Sequence, residues 1–278
     1  MIPLVVLLLQ VGPAPTVEPI SPIPEELQEQ RRRTRARENA YVEVLAETSW
    51  LAQCLARTRT DPGGAASEAE AWLAAASGSE RGDAAQCLGV AQTQLGRQSE
   101  SAETFMLALE ATPRDDRRAR AIRGGLAGGA LLAKGDPAGA LALLDTARTD
   151  AQAAGQDTIL GQIAIDRAIA LVALDRLDEA GEALGTARTA LPDNPQTWLL
   201  SGTLSRRLGN LAEAQVQIER AEILAPLDPA IDLEAGVIAA MAGRDADARK
   251  SWRSVIDAAP GTDAAATAQA YLDQLDMP

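Results

Sequence analysis

Between Asn194 and Pro260 the sequence copies itself at a fixed interval. Pro195 recurs as Pro229, Gly202 as Gly236, Gly209 as Gly243, Ala214 as Ala248 and Pro226 as Pro260, each after 34 residues. Such a period marks a stack of supersecondary units, each too small to hide its own apolar face. Within the unit, Asn194 and Asp228 precede prolines, the pattern of an Asx cap followed by the first helical position. Gly209 and Gly243 fall where that helix must stop in the left-handed conformation. A second helix follows, with Leu211, Ala214, Ile218, Ala221 and Leu224 in one apolar stripe, and Pro226 and Pro260 end it. The unit is an antiparallel helix pair joined by a short turn.

Small residues stand where the two helices approach, Gly202 in the first and Ala214 in the second. A bulky side chain at either place would overpack the contact, at a cost of about 1–3 kcal/mol. The pattern resembles the tetratricopeptide repeat: an aromatic, a small residue, alanine, a bulky apolar residue, alanine and proline, held here by Trp198, Gly202, Ala214, Ile218, Ala221 and Pro226. The next copy keeps Gly236, Ala248, Trp252, Val255 and Pro260 but has Asp232 at the aromatic position. The resemblance implies an all-α, right-handed solenoid of stacked antiparallel helix pairs.

Earlier copies are looser. Gly89, Gly96, Ser101, Phe105, Ala108 and Pro113 keep the spacing; Gly128, Gly135, Ala140, Leu144 and Ala147 follow, then Ala168, Ala180, Leu184, Ala187 and Pro192. Ala140 to Ala180 is 40 residues instead of 34, and the excess is expected in the second helix and the loop around Ala154–Asp157. This organises residues 81–260 as five repeats. Residues 261–278 form a capping helix, with Ala268, Tyr271, Leu272 and Leu275 on its apolar side, as the open end of a stack requires.

Ahead of the repeats, residues 1–14 read as a secretory signal: the apolar run Leu4–Leu9 is far shorter than the roughly 20 residues needed to span a bilayer. No basic residue precedes it, so a cytoplasmic chain with a fortuitous apolar start is the alternative to a periplasmic or otherwise exported one. Residues 15–24 contain four prolines and act as a stiff linker. Residues 25–80 are expected to hold a long helix from Glu25 to about Thr60, a break at Asp61-Pro62-Gly63-Gly64, and a helix over Ala66–Ser77, together a degenerate pair. The arginines of Arg31–Arg37 suit either peripheral contact with an anionic membrane or a solvated helix start among Glu25, Glu26, Glu29 and Glu38.

Net charge is −13, which argues against nucleic acid as a partner. The sequence has no histidine, so Ser-His-Asp and Cys-His arrangements are unavailable, and two cysteines alone do not complete a zinc site. No phosphate-binding glycine loop is present; Gly124-Gly125 and Gly128-Gly129 read as close helix packing. Asp115-Asp116, beside Arg114, Arg117 and Arg118, reads as a solvated charge cluster. Neither a cofactor, a metal, a small-molecule substrate nor an enzymatic activity is expected. Cys54 and Cys87, 33 residues apart on first helices of successive pairs, suit either a disulfide, favoured by export, or two buried thiols.

The remaining expectation is protein binding. In tetratricopeptide-repeat proteins the first helices line a concave face where peptides lie. The resemblance places Val90, Thr93, Ile122, Leu132, Ile165, Ile169, Val172, Leu199, Thr203, Arg206, Leu233, Val237 and Ala240 on that face. Lysine and asparagine, which serve as a carboxylate clamp in part of the family, are missing from these places. The mostly apolar lining implies a non-enzymatic scaffold for an amphipathic helix or an apolar extended peptide. The alternative is a structural or assembly factor of the bacterial envelope tethered through its N-terminal segment.

Overall fold

Helix boundaries follow the cap chemistry closely. Asn194 and Asp228 accept hydrogen bonds from the backbone N–H groups of Gln196 and Ala230, both at 2.9 Å. Asp61 and Asp136 do the same for Gly64 and Gly139, at 2.8 and 2.9 Å, and each of the four is followed by proline at the helix start. Gly209 and Gly243 end first helices with φ of +79° and +72°. In the turn after Ala173 that conformation is taken by Asp175, at φ +58°; a short polar side chain tolerates it better than most.

A computed structural model of the chain describes residues 49–277. The signal-like segment, the proline-rich linker, the arginine cluster and all but the end of the helix expected from Glu25 lie outside the described residues. From Trp50 onward the chain forms one unit. Its thirteen described helices are α1 (Trp50–Thr58), α2 (Pro62–Ala75), α3 (Gly78–Gln94), α4 (Gln98–Glu110), α5 (Arg117–Lys134), α6 (Pro137–Ala153) and α7 (Asp157–Ala173). They continue as α8 (Leu177–Ala190), α9 (Pro195–Arg207), α10 (Leu211–Leu224), α11 (Pro229–Met241), α12 (Asp245–Ala258) and α13 (Asp263–Leu275). Among the described residues there is no strand.

Consecutive helices pack as pairs, α1 with α2 through α11 with α12, and α13 covers the last pair through Ala268 and Leu272 against Trp252 and Val255. Beyond chain neighbours, first helices meet first helices: α1 with α3, α5 with α7, α9 with α11. Second helices make no comparable contact with one another, so where the stack closes beyond chain neighbours it does so along its first-helix side, at α1–α3, α5–α7 and α9–α11. Within each pair one small residue meets one large residue 16 positions later: Gly89 and Phe105, Gly128 and Leu144, Ala168 and Leu184, Gly202 and Ile218, Gly236 and Trp252. The large partner is buried in every case. That contact recurs because a bare backbone lets two axes close onto a side chain that fills the gap.

Three expectations need correction. Pro62-Gly63-Gly64 is the first turn of α2, with Asp61 as its cap, so the helix begins four residues before Ala66 and ends at Ala75. The excess between the second and third repeats lengthens the second helix, as expected, and otherwise goes into the next first helix instead of the loop: α6 has 17 residues where α8, α10 and α12 have 14, and α7 has 17 where α9 and α11 have 13. The loop between α6 and α7 is not enlarged. Finally, Asp116 caps α5 by accepting from Ala119 N–H, and Arg117 pairs with Asp150, so the Arg114–Arg118 cluster is in part structural.

Two polar clamps brace the middle of the stack, one between pairs and one within a pair. The buried Arg123 guanidinium donates from Nε to Gln86 Oε1 (3.0 Å), from Nη1 to Thr112 Oγ1 (2.7 Å) and from Nη2 to Asp83. Asp150, also buried, accepts from Arg117 Nη1 (2.5 Å) and Arg120 Nε (3.1 Å), joining α6 to α5. Asp232, which stands where the repeat pattern has an aromatic, is buried and accepts from Ser254 Oγ at 2.6 Å. At the N-terminal end Cys54 on α1 and Cys87 on α3 are bonded, Cα atoms 6.0 Å apart, amid Ala65, Ala69, Leu88 and Ala91.

Candidate functional site

The first helices fall into two classes. In α3, α5 and α7 the small residue that meets the partner helix (Gly89, Gly128, Ala168) is the twelfth of its helix; in α9 and α11 (Gly202, Gly236) it is the eighth. Four more residues add about 6 Å of helix. Among these long helices a cavity of about 740 Å³ opens on the first-helix side. Its lining runs diagonally, from the C-terminal half of α3 (Val90, Thr93, Gln94) along α5 (Ala121 to Ala133) to the N-terminal half of α7 (Thr158, Ile159, Gln162, Ile163, Asp166). The added turn of α7 supplies Thr158 and Ile159. Gln98, Phe105, Leu191 and Asn194 complete the wall.

The paired glycines of α5 divide their work. Gly124 and Gly128 face α6: a β-carbon on Gly124 would stand 2.9 Å from that of Ala147, and one on Gly128 2.5 Å from Leu144 Cγ. Gly125 and Gly129, each turned 100° further around the helix, face the cavity and leave bare backbone on its wall. A β-carbon on Gly129 would meet nothing nearer than Asp166 Oδ2, at 3.7 Å. The expectation of close packing thus holds for Gly124 and Gly128 against α6 and for Gly125 against Ile163, 3.3 Å from a β-carbon there, while Gly129 makes room.

Asp166 is the one ionisable side chain in the lining. Burial raises its pKa from 3.8 to about 6, opposed by a hydrogen bond from the Gln162 amide. The neighbouring Arg167 turns away to Asp145 on α6, at 2.7 Å. Gln98 Oε1, also in the wall, is buried without a donor. Among the described residues no group of three His, Cys, Asp or Glu side chains is placed as metal ligands would be.

Solved structures with this architecture include PilW, described as a widely conserved type IV pilus biogenesis factor: TM-score 0.66 and 17% identity over 78% of this chain and 95% of that one. The pilF protein of Pseudomonas aeruginosa gives a TM-score of 0.64 at 15% identity, over 80% and 95%. YrrB, described as a TPR protein with an unusual peptide-binding site, gives 0.51 at 18% identity, over 67% and 91%. The fold is that of a tetratricopeptide-repeat array. No family model and no curated protein matches the chain by sequence.

The array does not gather the thirteen expected groove residues into one surface. Val90, Thr93 and Ile122 line the cavity. Val237 and Ala240 border a separate hollow of about 450 Å³ at the C-terminal end, with Trp252, Tyr271 and Leu275. Ile165 does not face a groove: it is buried beside Ala164, Ala187, Leu191 and Leu200. Leu132 and Val172 pack on the core between α5 and α9, Leu199 on that of α10 and α11, and Leu233 on the last pair. Arg206 is held by Glu234, Nε to Oε1 at 2.6 Å, so it joins α9 to α11. Ile169 is exposed, and neither it nor Thr203 borders the cavity.

Carrying one register through all tetratricopeptide repeats caused these misses. On α3 and α5 the cavity is lined by the expected Val90, Thr93 and Ile122, but α7 meets it with a different face, Ile159, Gln162, Ile163 and Asp166 in place of Ile165, Ile169 and Val172. A sequence signal existed: the second glycines of the two doublets, Gly125 and Gly129, stand one turn apart and share a face with Ile122 and Leu126.

Proposed function

We propose that the chain is a non-enzymatic interaction scaffold that holds a segment of another protein in the cavity between α3, α5 and α7. One observation carries this reading: three long first helices enclose a mostly apolar space of about 740 Å³ whose wall includes two glycines, Gly125 closely faced by Ile163 and Gly129 open to the space. Side chains are withheld from the middle of a helix wall, at roughly 1 kcal/mol of helix propensity per glycine. Space kept open at that cost suits an occupant. The similarity to YrrB, whose description mentions a peptide-binding site, supports a peptide as that occupant. The histidine-free sequence offers none of the imidazole-based catalytic arrangements.

A photo-crosslinking residue placed at Thr93, at the cavity mouth, should trap a protein partner in producing cells. The same residue at the exposed Val216 on α10 should not. Equal trapping at both positions, or none at Thr93, would refute the reading.

A second reading has its own support. Of the two structures of highest TM-score named above, both covered almost end to end by this chain, PilW is described as a type IV pilus biogenesis factor. With the signal-like residues 1–14 and the Cys54–Cys87 bond, this favours an exported assembly factor of a bacterial envelope. No described helix is long and apolar enough to cross a membrane. Deleting residues 1–24 should move the protein from the envelope fraction to the soluble cytoplasm; unchanged fractionation would sink the envelope reading while leaving the scaffold one intact.

A further inference from the structure

We infer that the segment bound in this cavity presents a lysine or arginine to Asp166, its apolar neighbours lying along Ile122, Leu126 and Ile159. The inference rests on reading the cavity as a peptide site and goes on to specify the chemistry of the peptide. Acidic side chains that bridge helices elsewhere in the stack have arginine partners: Asp145 with Arg167, Asp150 with Arg117 and Arg120, Glu234 with Arg206. Asp166 is bonded only by the neutral Gln162 amide, on its own helix. It faces Gly129, where the absence of a side chain leaves the carboxylate open to the cavity. A carboxylate withdrawn from water needs a cation to be stable in its charged form, and no cationic side chain lines the space.

The other polar groups point the same way. Gln98 Oε1 is a buried acceptor with no donor, so it and Asp166 both want N–H groups from outside. Lysine and arginine supply several N–H donors on a long apolar stem, and such a stem suits walls built from Ile122, Leu126, Ile159 and Ile163. An acidic or carboxylate-terminated peptide would place like charge against Asp166. At net charge −13 the chain also favours encounter with basic segments.

The test is a selection of random displayed peptides on the full-length chain. Cavity binders are those weakened about tenfold or more by both Gly129→Leu, which fills the wall, and Thr93→Trp, which blocks the mouth. They should contain a lysine or arginine among apolar residues. Asp166→Asn should weaken them about tenfold or more, and replacing the peptide cation by glutamine in that background should cost little further. Thermal unfolding of each variant establishes that it is folded. Cavity binders that lack a cation, or that ignore Asp166→Asn, overturn the inference and leave the peptide site standing. A selection that returns no cavity-dependent binder overturns the peptide site itself.

Discussion

Gly128 lies flat against Leu144: a β-carbon there would stand 2.5 Å from Leu144 Cγ, inside any tolerable contact. The next residue, Gly129, looks across open space to Asp166. Two identical residues in succession thus serve packing and vacancy, and alanine at each should have opposite effects.

Gly128→Ala is expected to destabilise the protein by about 1–3 kcal/mol, as overpacking against a filled core does. Gly129→Ala should stabilise it by up to ~1 kcal/mol, because alanine raises helix propensity where nothing obstructs it. Urea denaturation of the two variants measures both. Shifts of the same sign would mean that the glycines are equivalent.

Asp166 carries a pH signature. Its pKa in the folded chain is about 6, above its ordinary 3.8, so the native state binds this proton more tightly than the unfolded state does. The stability it contributes is therefore present at low pH and lost as pH rises from roughly 4 to 6, by at most ~3 kcal/mol. Asp166→Asn should be more stable than wild type at pH 7 by up to that amount, with the gap closing near pH 4. Paired thermal melts across this range check it; a less stable Asp166→Asn at pH 7 would contradict it. A substitution that strengthens the fold while weakening the bound peptide is the expected mark of a binding residue.

Arg123 is buried and shared among Gln86, Thr112 and Asp83. Arg123→Met keeps much of the apolar stem and removes the donors, stranding the Gln86 acceptor. A loss of about 1–3 kcal/mol is expected, limited because Asp83 is partly exposed and regains water. Hydrogen exchange should quicken where α3 meets α5. Unaltered stability would show that the guanidinium contributes only bulk.

Cys54 and Cys87 close a loop across α1, α2 and most of α3. Chain-entropy reasoning values a bond over this separation at about 3–4 kcal/mol against the unfolded state. Because α1 and α2 lie at one end of the described stack, reduction should loosen that end first and leave the cavity folded. Intact mass after alkylation, with and without reductant, reports the bond. Hydrogen exchange confined to α1 and α2 after reduction reports the locality, and uniform exchange through α7 would refute it.

Much of this architecture was legible before any coordinates. Asn194-Pro195, Asp228-Pro229, Gly209 and Gly243 act through hydrogen bonds and backbone angles set within a few residues, so their pattern predicts where helices begin and end. The small-to-large pairing of Gly202 with Ile218 likewise recurs at constant spacing, because both partners belong to one hairpin. The binding face was far less legible. Which side chains of α7 look inward depends on how far α5 and α7 extend past their partners and on what the loop at Leu191 covers. Ile165 and Asp166 are adjacent and both match a helical stripe, yet one is buried in the core and the other borders the cavity. Local chemistry encodes each hairpin; the space between hairpins arises from several helices at once, and only their packing reveals it.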